Sequence, residues 1–339
     1  KFKKAGKMAG CVTTVPITHA TPAGFCVNSK SRNAQEEIAE KYLEHHFDIM
    51  MGGGDKYFSS EYRKDNVDMY QKYKANGYQV VKTRNEMLAA DSNNPILGVF
   101  QKDGLPYTKD RDSNKELTNK VPTLGEMTQK AIDRMKNHPE GFVLQVEAGK
   151  VDWAAHGNDI TGLIYDQTAH DEALKVAIDF AKKDNDTLVI ITTDHGNSNP
   201  GVISGKEAND NFDSVQNYKH TNDWILNGFG KETSLSQVKE RIEYANNFGV
   251  TDEEAKQILS YYTTIKSEEG LYNARHLPFK VLAEIQKKHN SIGWISQHHS
   301  ADYVELAMFG PGSDLLKPFI KNTDLHYLML KAAEVENKF

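Results

Sequence analysis

Cysteine is nearly absent from this 339-residue sequence: Cys11 and Cys26 are the only two. Two cysteines cannot form a disulfide framework that substitutes for a hydrophobic core. Both stand among apolar neighbours, where a free buried thiol is the plain reading. Long apolar runs are missing too, since no stretch reaches the ~18 residues that a membrane-spanning helix needs. No signal peptide is recognisable. The opening KFKKAGKMAG lacks an initiator Met and reads as a processed or truncated start inside a helix. Nor is there an excess of positive charge. With 41 Lys and Arg against 47 Asp and Glu, the formal net charge is −6, which argues against nucleic acid or an anionic membrane as partner. Internal repeats and low-complexity segments are also lacking.

What is present is an ordinary globular composition, 38% hydrophobic and 26% charged, in apolar stretches that alternate with helical patterns. That alternation predicts an α/β fold with a largely parallel sheet sandwiched by helices. The expected strands are Gly10–Val15, Phe47–Gly52, Tyr78–Thr83, Gly141–Ala148, Thr187–Thr193 and Tyr303–Gly310. Helices are expected over Thr123–Asn137 and roughly Gly162–Lys183, with Thr323 as N-cap of the last one. The expected organisation is one domain over residues 1–339, interrupted at 202–296 by an inserted, crown-like helical segment above the sheet. GGG at Gly52–Gly54 lacks the Lys-Ser/Thr of a phosphate loop and reads as a tight turn.

Three predicted strand ends carry residues that are costly to place there unless something pairs with them. VEAGKVDWAAH offers Glu147, Asp152 and His156, the last two spaced to share one helical face. IITTDHGN offers Asp194 and His195, and ISQHHSADY offers His298 and His299. Mixed imidazole and carboxylate sets suit zinc, whereas oxygen-only sets suit magnesium. Any one of these His residues alone reads more simply as structural. Three clusters in one chain point to a polynuclear metal site.

These motifs, in this order, resemble those of the alkaline phosphatases. HATPAGF followed by SKSR, GFVLQVEAGKVDWAAH, TLVIITTDHGN and HHSADYVELAMFGPG all resemble segments of that family, and VPTLGEMTQKAI and IMMGGGDKYF also match in place. The resemblance implies a zinc ion on Asp152, His156 and His299, and a second on Asp194 and His195. It implies a third site, usually magnesium, on Thr21 and Glu147, with His19 and Trp153 in the outer shell and His298 as a neighbour only. Arg32 would bind the phosphate. The implied activity is hydrolysis of phosphate monoesters through a phosphoserine intermediate, with inorganic phosphate as product. A homodimer located in the periplasm or at the cell surface is implied as well.

The family's Asp-Ser-Ala segment and a further Asp ligand have no counterpart in this sequence. Asp91-Ser92, Asp112-Ser113 and Asp213-Ser214 read as turns or helix caps. The expectation is therefore weak activity from this polypeptide alone, with an incomplete sheet edge. Trp153 stands where some members carry Lys, and His19 where some carry Asp. Two alternatives remain at this point: a related phosphodiesterase or phosphonate hydrolase, or a non-catalytic metal-binding fragment.

Overall fold

The computed structural model describes residues 1–91, 93–263 and 276–336. The first strand, β1 (Met8–Pro16), is buried along nearly its whole length. Successive residues serve opposite faces: Cys11 packs with Ile38, Tyr42 and Met50, whereas Val12 packs with Met127, Ala131 and Met135. Burial on both faces is what a central parallel strand requires, and it explains why GCVTTV is apolar or hydroxylic throughout.

β2 (Ile49–Gly53), β3 (Gln79–Val81), β4 (Ile96–Val99) and β5 (Phe142–Glu147) complete a five-stranded parallel sheet in the order β3-β4-β2-β1-β5. β4 is absent from the sequence-based expectation. Its run ILGV is only four residues long and contains Gly98, whose missing side chain leaves room for Met51 and Phe100. The turn expected at Gly52–Gly54 begins later: Gly52 and Gly53 end β2, and the chain turns at Gly54 into a 3-10 turn, Asp55–Tyr57. Gly54 has a φ of 105°, and its N–H donates to the carbonyls of Gln101 and Asp103.

Two expected strands do not join this sheet. β6 (Val189–Thr192) pairs antiparallel with β11 (Leu306–Phe309), and together they form a separate ribbon among the described residues. Their apolar runs gave the strand type correctly but carried no information about the partner. The chain opens on a 3-10 turn, Lys3–Ala5, rather than inside an α-helix. Thr323 precedes the last helix, Asp324–Ala332, in a helical conformation and without a side-chain cap bond. By contrast, Thr123 caps helix Leu124–Met135 with a capping box closed by Glu126, which also takes a bidentate grip from Arg84.

Between β8 (Pro200–Val202) and β9 (Ile292–Trp294), which pair antiparallel, helices gather around their own core of Ile225, Val238, Ile242, Ile258, Leu282 and Ile285. Residues 264–275 of this segment lie outside the described set. The segment is fastened to helices Thr108–Asp112 and Ile160–Asp184 by buried polar groups. Asp110 accepts hydrogen bonds from the Thr221 N–H and hydroxyl, while Asp159 accepts from the N–H groups of Gly162 and Asn222. Burial pushes the Asp159 carboxyl up to about 7, against the pull of those N–H groups.

β1 has β2 on one side and β5 on the other, and the chain leaves β1 toward β2. The carboxyl ends of β1 and β5 therefore flank a topological switch point, where ligands of open α/β sheets gather.

Candidate metal centre

After β5 the chain turns directly into helix Gly149–His156, anchored by the Lys150 N–H on the Thr14 hydroxyl at 3.0 Å. Asp152 and His156 lie one turn apart on this helix, with Oδ1 to Nε2 at 3.5 Å. His299 arrives from the other end of the sequence on β10 (His299–Ser300), which pairs with β7 (Gly196–Asn197). Its Nε2 lies 3.7 Å from Asp152 Oδ1 and 3.1 Å from His156 Nε2. One donor atom from each of Asp152, His156 and His299 falls within 4.8 Å of the others.

The protonation pattern fits a cation. His156 Nδ1 lies 2.8 Å from the Gln297 carbonyl oxygen, so that nitrogen carries the proton and Nε2 offers its lone pair. Burial, followed by His195 nearby, holds the His299 imidazole below its ordinary pKa, favouring the neutral ligand form. Two neutral imidazole nitrogens facing each other at 3.1 Å repel unless a proton or a positive ion lies between them.

The second pair adjoins the first. His195 stacks on His299 with centroids 3.5 Å apart, and its Nε2 is 3.4 Å from Asp194 Oδ2. The third group lies at the switch point. Thr13 and Glu147 are register partners, and the Thr13 hydroxyl donates to Glu147 at 2.5 Å. Thr21 also hydrogen-bonds this carboxylate. Burial nonetheless pushes Glu147 up to about 7, the direction expected of a carboxylate awaiting a positive partner.

His19 packs edge-on against Trp153 at 5.8 Å and leaves its buried Nδ1 without a hydrogen-bond partner among the described residues. Burial and then Arg32 hold its pKa down. An orphaned imidazole nitrogen in the neighbourhood of Asp152 and Asp194 suits a cation close by. Arg32 sits in an exposed turn near His19. His298 is exposed and stands outside the three-residue cluster.

Trp153 lies on the same helix as Asp152 and His156. It is 6% exposed and packs with Val15, Tyr107 and Ala154 under Gly104, where an added Cβ would meet the indole at 2.7 Å. The Asp-Ser pairs are helix-end features where they are described. Ser113 and Ser214 follow helices Thr108–Asp112 and Ala208–Asp213 and donate back to Lys109 and Asn211 carbonyls. Ser92 lies outside the described residues.

The alkaline phosphatase family model matches residues 1–335. Alkaline phosphatase 4 of Bacillus subtilis is 33% identical over 97% of this chain and 68% of its own length. The crystal structure of Thermus thermophilus alkaline phosphatase superposes with a TM-score of 0.90 at 34% identity, covering 99% of this chain and 73% of that one. The chain belongs to the alkaline phosphatase family. Like its relatives, this alkaline phosphatase is a metal-dependent hydrolase of phosphate monoesters. A more distant structure, a histidine-to-glutamate variant of the enzyme from the Antarctic bacterium TAB5, has magnesium bound in its M3 site. It superposes at a TM-score of 0.67 with 21% identity.

Three residues of this alkaline phosphatase escaped the sequence reading. Asn197 donates to Asp152 Oδ1 at 2.6 Å while its backbone pairs with His299, so one residue braces two members of the cluster. Its own amide oxygen is fixed by the Ser198 hydroxyl at 2.8 Å. Gln297 and Thr13 set His156 and Glu147 in the same manner. Only the position of Asn197, just past DHG, hinted at a role.

Proposed function

We propose that Asp152, His156 and His299 hold one zinc ion, that Asp194 and His195 contribute to a second, and that Thr21 and Glu147 contribute to a third site for magnesium. The observation that carries this reading is the convergence of the three donor atoms within 4.8 Å. Imidazole-rich donors favour zinc in the first two sites, and a carboxylate with a hydroxyl favours magnesium in the third. The orphaned Nδ1 of His19 would let zinc compete at that third site. When bound, such ions neutralise phosphoryl oxygens and lower the pKa of a coordinated water toward ~7.

The protein's own groups do the rest. The Asn197 and Gln297 contacts keep Asp152 and His156 aimed at one point before any substrate arrives. The fork of Arg32 suits two non-bridging oxygens of a phosphate monoester, which is the argument for its role in binding substrate and inorganic phosphate. A phosphoserine route needs a serine hydroxyl at the metal cluster, and Ser113 and Ser214 are both engaged at helix ends. We therefore expect that neither Ser113 nor Ser214 carries a phosphoryl group during turnover of an aryl phosphate. No helix among the described residues is long and apolar enough to cross a membrane. A homodimer in the periplasm or at the cell surface is the setting inferred from the family.

Metal analysis of the purified chain tests the reading. Two or three zinc-class ions per chain are expected, with His299→Ala losing one equivalent and the visible bands of a cobalt-substituted first site. Unchanged stoichiometry and spectrum in His299→Ala would overturn the assignment.

A further inference from the structure

Two thiols outside the metal centre lie together on the sheet face that carries Thr13 and Glu147. Cys11 is fully buried on β1, two residues before Thr13 and therefore on the same face. Helix Ala20–Cys26 lies across this face, held by a bond from the Gln145 side chain to the Thr21 carbonyl at 3.4 Å. Gln145 is the register partner of Cys11, so the bond and the thiol occupy the same rung of the sheet. At the helix end Cys26 packs against the cluster that holds Cys11, Ala23, Ile38 and Tyr42. Both are reduced in this structure.

We propose that Cys11 and Cys26 form a redox couple whose disulfide ties the helix carrying Thr21 to β1. The oxidant is a low-molecular-weight disulfide such as oxidised glutathione. Cys26, the only one of the two with solvent exposure, attacks one glutathione sulfur as thiolate. The S–S bond of glutathione breaks, a mixed disulfide forms on Cys26, and one glutathione thiol leaves carrying a proton. Cys11 then gives up its proton and attacks the Cys26 sulfur, expelling the second glutathione thiol. In the net exchange two protein thiols are oxidised and one glutathione disulfide is reduced to two thiols. The neighbouring Cys26 thiol and then burial push the Cys11 thiol up, so the second step is slow and accelerates with pH. The closed loop contains His19 and Thr21, and the tie restrains that segment whether or not metal is bound.

The test uses the whole chain and oxidised glutathione. After incubation and denaturing alkylation, titratable thiols should fall from two to none. Peptide mapping should find Cys11 linked to Cys26 within one chain, and amide exchange over residues 18–26 should slow several-fold relative to the reduced protein. Cys26→Ser should retain one free thiol and show no slowing. Two free thiols after prolonged oxidation, a glutathione adduct on Cys26 that never resolves, or linkage only between chains would each overturn the proposal. A linked chain whose exchange over 18–26 is unchanged would overturn the claim that the tie restrains the helix.

Discussion

The two sides of this molecule have equally apolar strands and unequal burial. β2 and β4 are buried at every position, and β1 at all but its first. β5 is half-exposed from Phe142 to Val146, and β6 with VIIT is half-exposed before ending at an exposed Thr192. The difference lies in the neighbours. β1 has a strand on each side, whereas among the described residues β5 pairs only with β1 and β6 only with β11. An apolar run thus records a strand's capacity for burial, and whether that capacity is used depends on what packs beside it. The proposed metal centre spans both sides: Thr21 and Thr13 come from the closed side, and Asp152, His156 and His299 from the open one.

Truncation should expose this contrast most strongly. Ile49→Ala on the closed side should cost about 4 kcal/mol, and Ile190→Ala on the open side no more than about 1.5 kcal/mol, measured by urea unfolding. Equal costs would break the comparison. The open side should also gain most from metal. Zinc should slow amide exchange at 147–156 and 194–199 while leaving 49–53 unchanged, and Asn197→Ala should weaken zinc binding about 10-fold or more by calorimetry. A change in 49–53 as large as that at the ligands would show that the two sides respond as one.

A smaller effect concerns pH. Burial first, opposed by Lys150 and the Thr108 hydrogen bonds, pushes Asp166 up to about 7 from an ordinary 3.8. The folded chain keeps this proton where the unfolded chain has lost it. The stabilisation is therefore fully present below about pH 4 and is lost as pH rises toward 7. Asp166→Asn should flatten that decline by on the order of 1–3 kcal/mol in the metal-free chain. A steeper decline would mean that the carboxylate form is the one the fold stabilises. The mildest expectation is at the surface: an apolar-sensing dye should bind the native chain, and Val143→Lys should reduce its signal. Val143 is half-exposed on β5.

Much of this was legible in the sequence. All six expected strands and both long helices, Leu124–Met135 and Ile160–Asp184, occur where the apolar pattern placed them, apart from shifted ends. Asp152 and His156 could be paired from helical spacing alone. β4 was not legible, because four residues containing a glycine carry too little pattern. The separate ribbon of β6 and β11 was not legible either, since pairing is a choice among partners far apart in the chain.

The sequence by itself determined the α/β class, the donor residue types and the helical face shared by Asp152 and His156, because these depend on local periodicity and side-chain chemistry. Only the tertiary structure decided that His299 meets them, that Asn197 braces the group, and that Cys11 and Cys26 lie side by side. Those contacts join segments distant along the chain, and the path back through space depends on how every intervening element packs.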